Sequence, residues 1–152
     1  MKQLKSLLIV LFVSALASSV WAGPVEEVAA VGKQRGQAFN EGNIEAFMAT
    51  WADDAVYTPP RSPFRIEGKN AIKAFYVDVF QQFPKRQFAG RQSSMRAYGD
   101  SLVISNGYSD VTLTDRDGHA TVLALRASTV WSKIDGKWQV VDFHTSKIPG
   151  TQ

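Results

Sequence analysis

The sequence predicts an α+β domain: a cone-shaped, strongly curved antiparallel sheet packed on three N-terminal helices. Three observations lead there. Helical signals fill the first half of the chain and strand signals the second, an order that favours α+β over alternating α/β. Four long strand-like segments near the C-terminus are separated only by turn signals. No repeat, low-complexity tract or internal linker interrupts the 152 residues, a length that fits one domain.

The elements follow in order. Pro24 suits a first helical position. Val28, Val31, Ala38 and Phe39 give a helical stripe, and Gly42 after Glu41 is a stop signal. Asn43 caps a second, short helix in which Phe47 and Trp51 are spaced i, i+4. Asp53-Asp54 breaks that helix, residues 55–58 read as a short strand, and Pro59-Pro60-Arg61-Ser62-Pro63 must be a loop. A third helix starts near Gly68-Lys69-Asn70, presents Ile72, Phe75, Tyr76, Val79, Phe80 and Phe83 on one face, and ends at Pro84. Strands are predicted over 87–98, 101–114, 120–133 and 137–146, separated by Gly99-Asp100, Arg116-Asp117-Gly118 and Asp135-Gly136. Such strands are long, so the sheet must curve, and helices on one face of a curved sheet enclose a cavity. In the last strand Trp138 and Val140 alternate with Val141 and Phe143, so both faces read as partly apolar. One face packs on the helices and the other needs a second cover, most simply another copy of the chain: a homodimer through the outer face of the sheet is expected.

Composition narrows the function. The chain has no cysteine, which excludes a disulfide framework, a thiolate metal site, a cysteine nucleophile and a lipoprotein anchor. Its formal charge of +3 is concentrated where it matters least for a ligand. Lys2 and Lys5 precede the short apolar run Leu7–Val13, and Val20 and Ala22 stand at −3 and −1 of a cleavage site. Residues 1–22 thus read as a secretory signal peptide and 23–152 as the mature domain. The leader carries two of the 17 basic groups and none of the 14 acidic ones, so the remaining 130 residues stand at +1, with their basic residues scattered. Nucleic-acid binding loses its electrostatic footprint. A periplasmic or secreted protein, free of the membrane after cleavage, is expected.

Several stretches carry a resemblance. Ala38–Ala46, Trp51–Tyr57 and Glu67–Ile72 resemble the opening of nuclear transport factor 2-like proteins, the superfamily of ketosteroid isomerases and SnoaL-like cyclases and dehydratases, with a cystatin-like fold. Val130–Ser146 is similar to the closing hairpin of the calcium/calmodulin-dependent protein kinase II association domain. The likeness covers nearly the whole mature chain; it speaks to fold, because this fold hosts many activities. Carried over position by position, the isomerase base falls on Pro59, its oxyanion-hole tyrosine near Arg35 and its protonated aspartate near Thr129. None of the three groups is present, which disfavours steroid isomerisation by that mechanism. The cavity-lining arginines of the kinase association domain fall near Tyr108, Thr129 and Thr145, where this chain has no arginine.

Candidate chemistry remains. Asp142 and His144 share one face of the last strand, a carboxylate placed to orient and charge a histidine; a polar pair of this kind equally serves packing, and Thr145 rather than His144 matches the cavity-facing position. Tyr108 and Asp110 share a face of another strand, and Tyr108 matches a cavity position; Asp110 is a candidate base if buried, or the two solvate the rim. Arg126, in the apolar stretch Val122–Ala127, needs an anionic partner: Asp110, Asp142 or a ligand carboxylate. Trp51, Tyr57, Phe64, Phe75 and Tyr76 fall where this fold builds the helix side of its cavity, with Phe75 in the core and Tyr57 the better pocket residue. The candidate catalytic residues are Asp110, Asp142 and His144; the candidate ligand-binding residues are Trp51, Tyr57, Tyr76, Tyr108, Arg126, Thr129 and Thr145. His119 sits beside the Asp117-Gly118 turn, far from His144, so no metal-ligand spacing is present, and no dinucleotide or phosphate motif appears. The expectation is a small apolar or aromatic ligand without metal or cofactor, handled by a lyase, isomerase or cyclase type of enzyme, or else by a non-catalytic binding or oligomerisation module.

Overall fold

The computed structural model describes residues 22–150. The predicted signal peptide lies, but for its last residue, outside them. The helices are α1 (Pro24–Glu41), α2 (Ile44–Met48) and α3 (Lys69–Gln82); the strands are β1 (Trp51–Thr58), β2 (Ile66–Glu67), β3 (Lys85–Ala97), β4 (Leu102–Thr114), β5 (Ala120–Ile134) and β6 (Lys137–Lys147). The strand order is β2-β1-β6-β5-β4-β3, and this six-stranded curled sheet packs on the N-terminal helices in an α+β arrangement.

Local chemistry sets the helix ends. Pro24 opens α1, and Glu26 and Glu27 lie in its first turn, facing the positive end of the helix dipole. Gly42 adopts φ 74°; its N–H donates to Phe39 O and that of Asn43 to Ala38 O, satisfying carbonyls the helix leaves over. The Asn43 side chain then accepts from Ala46 N at 3.0 Å and starts α2. The Arg86 guanidinium donates to Phe39 O, Phe80 O and Phe83 O, closing the C-terminal ends of α1 and α3 together.

Three features depart from the sequence expectation. Trp51 lies in β1, not in the second helix. The Thr50 hydroxyl donates to Phe47 O and ends α2, and β1 then pairs in parallel with β6. The sheet therefore contains one parallel pair among antiparallel ones. Last, β6 carries a bulge at Val141, because Trp131 pairs with Val140 but Val130 with Asp142. The extra residue switches the alternation, so Trp138, Val140, Phe143 and Thr145 all face the helices. The apolar outer face read from the strict alternation of β6 is thereby lost: beyond the bulge that face carries Asp142 and His144, both exposed. A second bulge lies in β3 at Arg91, opposite β4, where Gly107 lets the strands approach: a Cβ there would stand 2.6 Å from Gln92 O.

The core gathers Val28, Phe47, Trp51, Ile72, Tyr76, Val103, Trp131 and Val140, all buried, between the helices and the inner face of the sheet. A smaller cluster of Leu113, Leu123 and Leu125 closes the other end against Phe39 and Phe83.

Candidate functional site

The inner face of the sheet meets the helices in a cage of rings. The Phe47 and Tyr76 centroids are 4.6 Å apart, Tyr57 stacks on Tyr76 at 5.5 Å and on Phe143 at 5.3 Å, and Trp51 lies 5.9 Å from Tyr57. Helix α1 projects Arg35 into this cage. It is 8% exposed, and its guanidinium carbon stands 4.3 Å from the ring centres of both Phe47 and Trp51 and 5.3 Å from that of Phe143. Its Nη1 donates to Thr50 Oγ1 at 2.9 Å. Among the described residues no carboxylate pairs with it and no second side chain or carbonyl accepts from it.

That is an unusual position for a cation. Guanidinium carries five N–H donors and stays charged, and a charge taken out of water without an anion is costly. Burial pulls Arg35 down to about 10, against a smaller opposing pull from Tyr76 and Tyr57. Charge–ring attraction offsets part of that cost. The nearby phenols respond to the same dryness. Burial raises Tyr57, which is hydrogen-bonded with Tyr76 and Thr145, and burial raises Tyr76 further, so both are neutral donors at ordinary pH. Thr129 and Thr145 are buried on the same inner face, and Thr145 Oγ1 donates to Thr58 O at 3.3 Å. The Trp51 indole N–H is buried with no acceptor.

The structure thus brings together five of the expected ligand-binding residues, Trp51, Tyr57, Tyr76, Thr129 and Thr145, all buried. It places the others elsewhere. In β4 the buried positions are Val103, Ser109 and Leu113, so Tyr108 and Asp110 point outward; Tyr108 is 46% exposed. Asp110 accepts from Arg91 Nε at 2.7 Å, at the β3 bulge. Arg126 lies beside Tyr108 across the β4–β5 pair, exposed, and pairs with neither Asp110 nor Asp142; the anionic partner expected for it is not found among the described residues. Asp142 and His144 pair across the sheet with Val130 and Ser128 on that same outer face. Tyr108, matched by the resemblance to a cavity position, faces outward instead, and the face carrying Asp110, Arg126, Asp142 and His144, which the sequence left open, is the outer one, set by the alternation of β4 and β5 and by the β6 bulge. Tyr108, Arg126 and Ser128, with Gln92, Ser94 and Asn106, line an open groove of about 290 Å³. Phe64 is 76% exposed in the loop after β1, outside the aromatic wall expected of it. Asp115, Asp117 and His119 gather at the β4–β5 turn, where the Asp115 carboxylate accepts from the backbone of the other two.

The residue that sequence reasoning underused is Arg35. Its signal was available: Val28, Val31, Arg35 and Ala38 stand at i, i+3, i+7 and i+10, so the arginine interrupts an otherwise apolar helical stripe.

Comparison with known proteins agrees with this architecture. The calcium/calmodulin dependent protein kinase II association domain family matches residues 25–149. A Xanthomonas campestris structure named for the same association domain is 25% identical, with a TM-score of 0.75 over 86% of this chain and 94% of that one. A nuclear transport factor 2-like superfamily protein from Salmonella enterica is 20% identical, with a TM-score of 0.75 over 85% and 94%. An uncharacterised cystatin-like-fold protein from Caulobacter vibrioides is 12% identical, with a TM-score of 0.72 over 84% and 91%. No curated protein matches the chain.

Proposed function

We propose, from the premise that the chain belongs to the calcium/calmodulin dependent protein kinase II association domain family, that it is an exported small-molecule-binding domain whose ligand occupies the interior between the helices and the sheet. The observation that carries this reading is the set of polar groups inside an aromatic cage: the Tyr57, Tyr76, Thr129 and Thr145 hydroxyls and the unpartnered Trp51 N–H. Packing alone is better served by apolar side chains, whereas a few directed polar groups on an aromatic wall suit a small apolar or aromatic ligand.

Binding is favoured over catalysis. Among the described residues the buried polar groups are hydroxyls, the indole N–H and Arg35, and the histidine and carboxylates proposed for acid–base work lie on the outer face. A cofactor-independent lyase, isomerase or cyclase is the alternative. Thermal-shift titration with small aromatic compounds tests the reading. Binding should raise the melting temperature, Tyr57→Phe should weaken it, and Asp110→Asn and His144→Ala should leave it unchanged. Binding that responds to Arg126→Ala but not to Tyr57→Phe would move the ligand to the outer groove and overturn the interior reading.

A second reading concerns assembly. The exposed Tyr108 and Val122 on the outer sheet face favour a homodimer through that face. Sedimentation of the protein as a monomer at micromolar concentration refutes it. Export predicts a secreted product that begins at Gly23, read by N-terminal sequencing.

A further inference from the structure

We infer that the open groove on the outer face of the sheet is a binding site in its own right, separate from the interior, and that it takes a sugar acid: a pyranose ring carrying one carboxylate.

Strand register builds the floor of this groove. Gln92, Tyr108 and Arg126 stand opposite one another across β3, β4 and β5, and Ser94, Asn106 and Ser128 form the next row on the same face. Neighbouring strands lie about 4.8 Å apart and residues on one face repeat about every 7 Å, so the two rows cover a patch of roughly 10 Å by 7 Å. That is the footprint of a single pyranose ring with its substituents, and the groove above it holds about 290 Å³.

Charge selects the acid. Among the described residues that line the groove, Arg126 alone is charged, and it makes no hydrogen bond or ion pair. The carboxylate nearest to it along β4, Asp110, is already held by Arg91. Asp142 stands one row beyond Ser128, opposite Val130. A free guanidinium offers paired, planar donors to the two oxygens of one carboxylate.

The neighbours of Arg126 select the body of the ligand. The Ser128 hydroxyl donates to Asn106 Oδ1 at 2.8 Å, which leaves the Asn106 amide N–H groups and the Ser128 oxygen for a ligand. Gln92 and Ser94 add a second amide and a second hydroxyl from β3. Groups that both donate and accept match a polyhydroxylated ring. Tyr108, 46% exposed beside Arg126, supplies one flat apolar surface for the C–H face of that ring. A fully aromatic ligand would use the tyrosine and leave the amides and hydroxyls without partners. A copy of the chain seated over Tyr108 is the rival occupant of this face.

The test titrates the intact, isotope-labelled protein with galacturonate and glucuronate beside galactose and glucose at pH 7 and low salt, followed by backbone amide NMR signals. At least one acid should bind fivefold or more tighter than its neutral sugar, with the shifts concentrated at residues 92–94, 106–108 and 126–128. Arg126→Gln should bring acid and neutral sugar to within about twofold, and 0.5 M salt should remove most of the preference, because the pair is exposed. Tyr108→Ala should weaken acid and neutral sugar together, and Tyr57→Phe should change neither, which separates this site from the interior one. Equal affinity of acid and neutral sugar for the unaltered protein overturns the inference. So does binding that responds to Tyr57→Phe and not to Arg126→Gln. Benzoate bound as tightly as either acid, and lost with Arg126→Gln, overturns the sugar assignment. Binding by none of the four sugars, as a copy seated over Tyr108 would enforce, overturns the site while leaving interior binding standing.

Discussion

Replacing Arg35 with methionine separates a buried charge that costs stability from one kept for packing. Methionine is of similar reach, flexible and apolar, and fits irregular space among rings. The charge carries a cost that follows from its burial. Burial pulls Arg35 down to about 10, a penalty on the charged form of roughly 3 kcal/mol at about 1.4 kcal/mol per pH unit. Against it stand attraction to the Phe47 and Trp51 rings and one charged hydrogen bond to Thr50, together of similar size. Methionine keeps most of the ring contact through dispersion and sulfur–aromatic packing, and Thr50 keeps its bond to Phe47 O, so removal leaves no orphaned group. The balance favours the variant: Arg35→Met should stabilise the protein without ligand by about 1–3 kcal/mol, as replacement of buried charges by apolar residues commonly does. Urea unfolding followed by tryptophan fluorescence reads this as a higher midpoint at unchanged slope. A loss of about 2 kcal/mol or more refutes the reasoning, because Arg35 then holds the cage together.

Three further outcomes are expected. Gly→Ala should change sign with position: at Gly32, inside α1 with the nearest atom of Trp131 at 4.0 Å, it should stabilise by about 1 kcal/mol, and at Gly107, where the new Cβ meets Gln92 O at 2.6 Å, it should cost about 1–3 kcal/mol, both by urea unfolding. Burial raises Tyr57 and Tyr76, so the folded state holds their protons above pH 10 where the unfolded chain releases them; stability should therefore fall as pH rises beyond 10, by up to about 1.4 kcal/mol per pH unit for each, and a Tyr57→Phe, Tyr76→Phe double variant should flatten that slope in alkaline melts. Lys133 and Trp138 hydrogen bonds lower Glu27, so its contribution is present above the ordinary carboxylate range and lost as pH falls through its folded value; Glu27→Gln should melt lower at pH 7 and lose less on acidification than the unaltered protein.

What the sequence disclosed follows the range of the forces involved. The bounds of α1 are legible because Pro24, Gly42 and Asn43 act within a turn, and the long strands because their turns, such as Asp135 at φ 49° followed by Gly136 at 75°, are local. The start of β1 is not, since Trp51 and Phe47 keep helical spacing and only pairing with β6 makes Trp51 a strand residue. The outer placement of Asp142 and His144 turns on one bulge residue, set by the neighbouring strands rather than by β6 itself. Trp51, Tyr57 and Tyr76 are legible as an aromatic wall, and Thr129 and Thr145 through family resemblance. Arg35 is visible as a charge in an apolar stripe, but its isolation from any carboxylate appears only once the sheet closes over it.

That closure has a temporal side. The parallel pair joins β1 to β6 across most of the chain, with Tyr57 opposite Phe143 and Thr58 opposite His144. Contacts of such separation form late and slowly, because a long loop must close before they contribute. Until residues 137–147 emerge and dock, the ring cage lacks a wall, Trp51 lacks its strand partner and Arg35 lies open to water. The Phe143 wall of the cage and its cover over Arg35 therefore arrive with the last strand, whereas the contacts among Phe47, Trp51, Tyr57 and Tyr76 join earlier elements and do not require it.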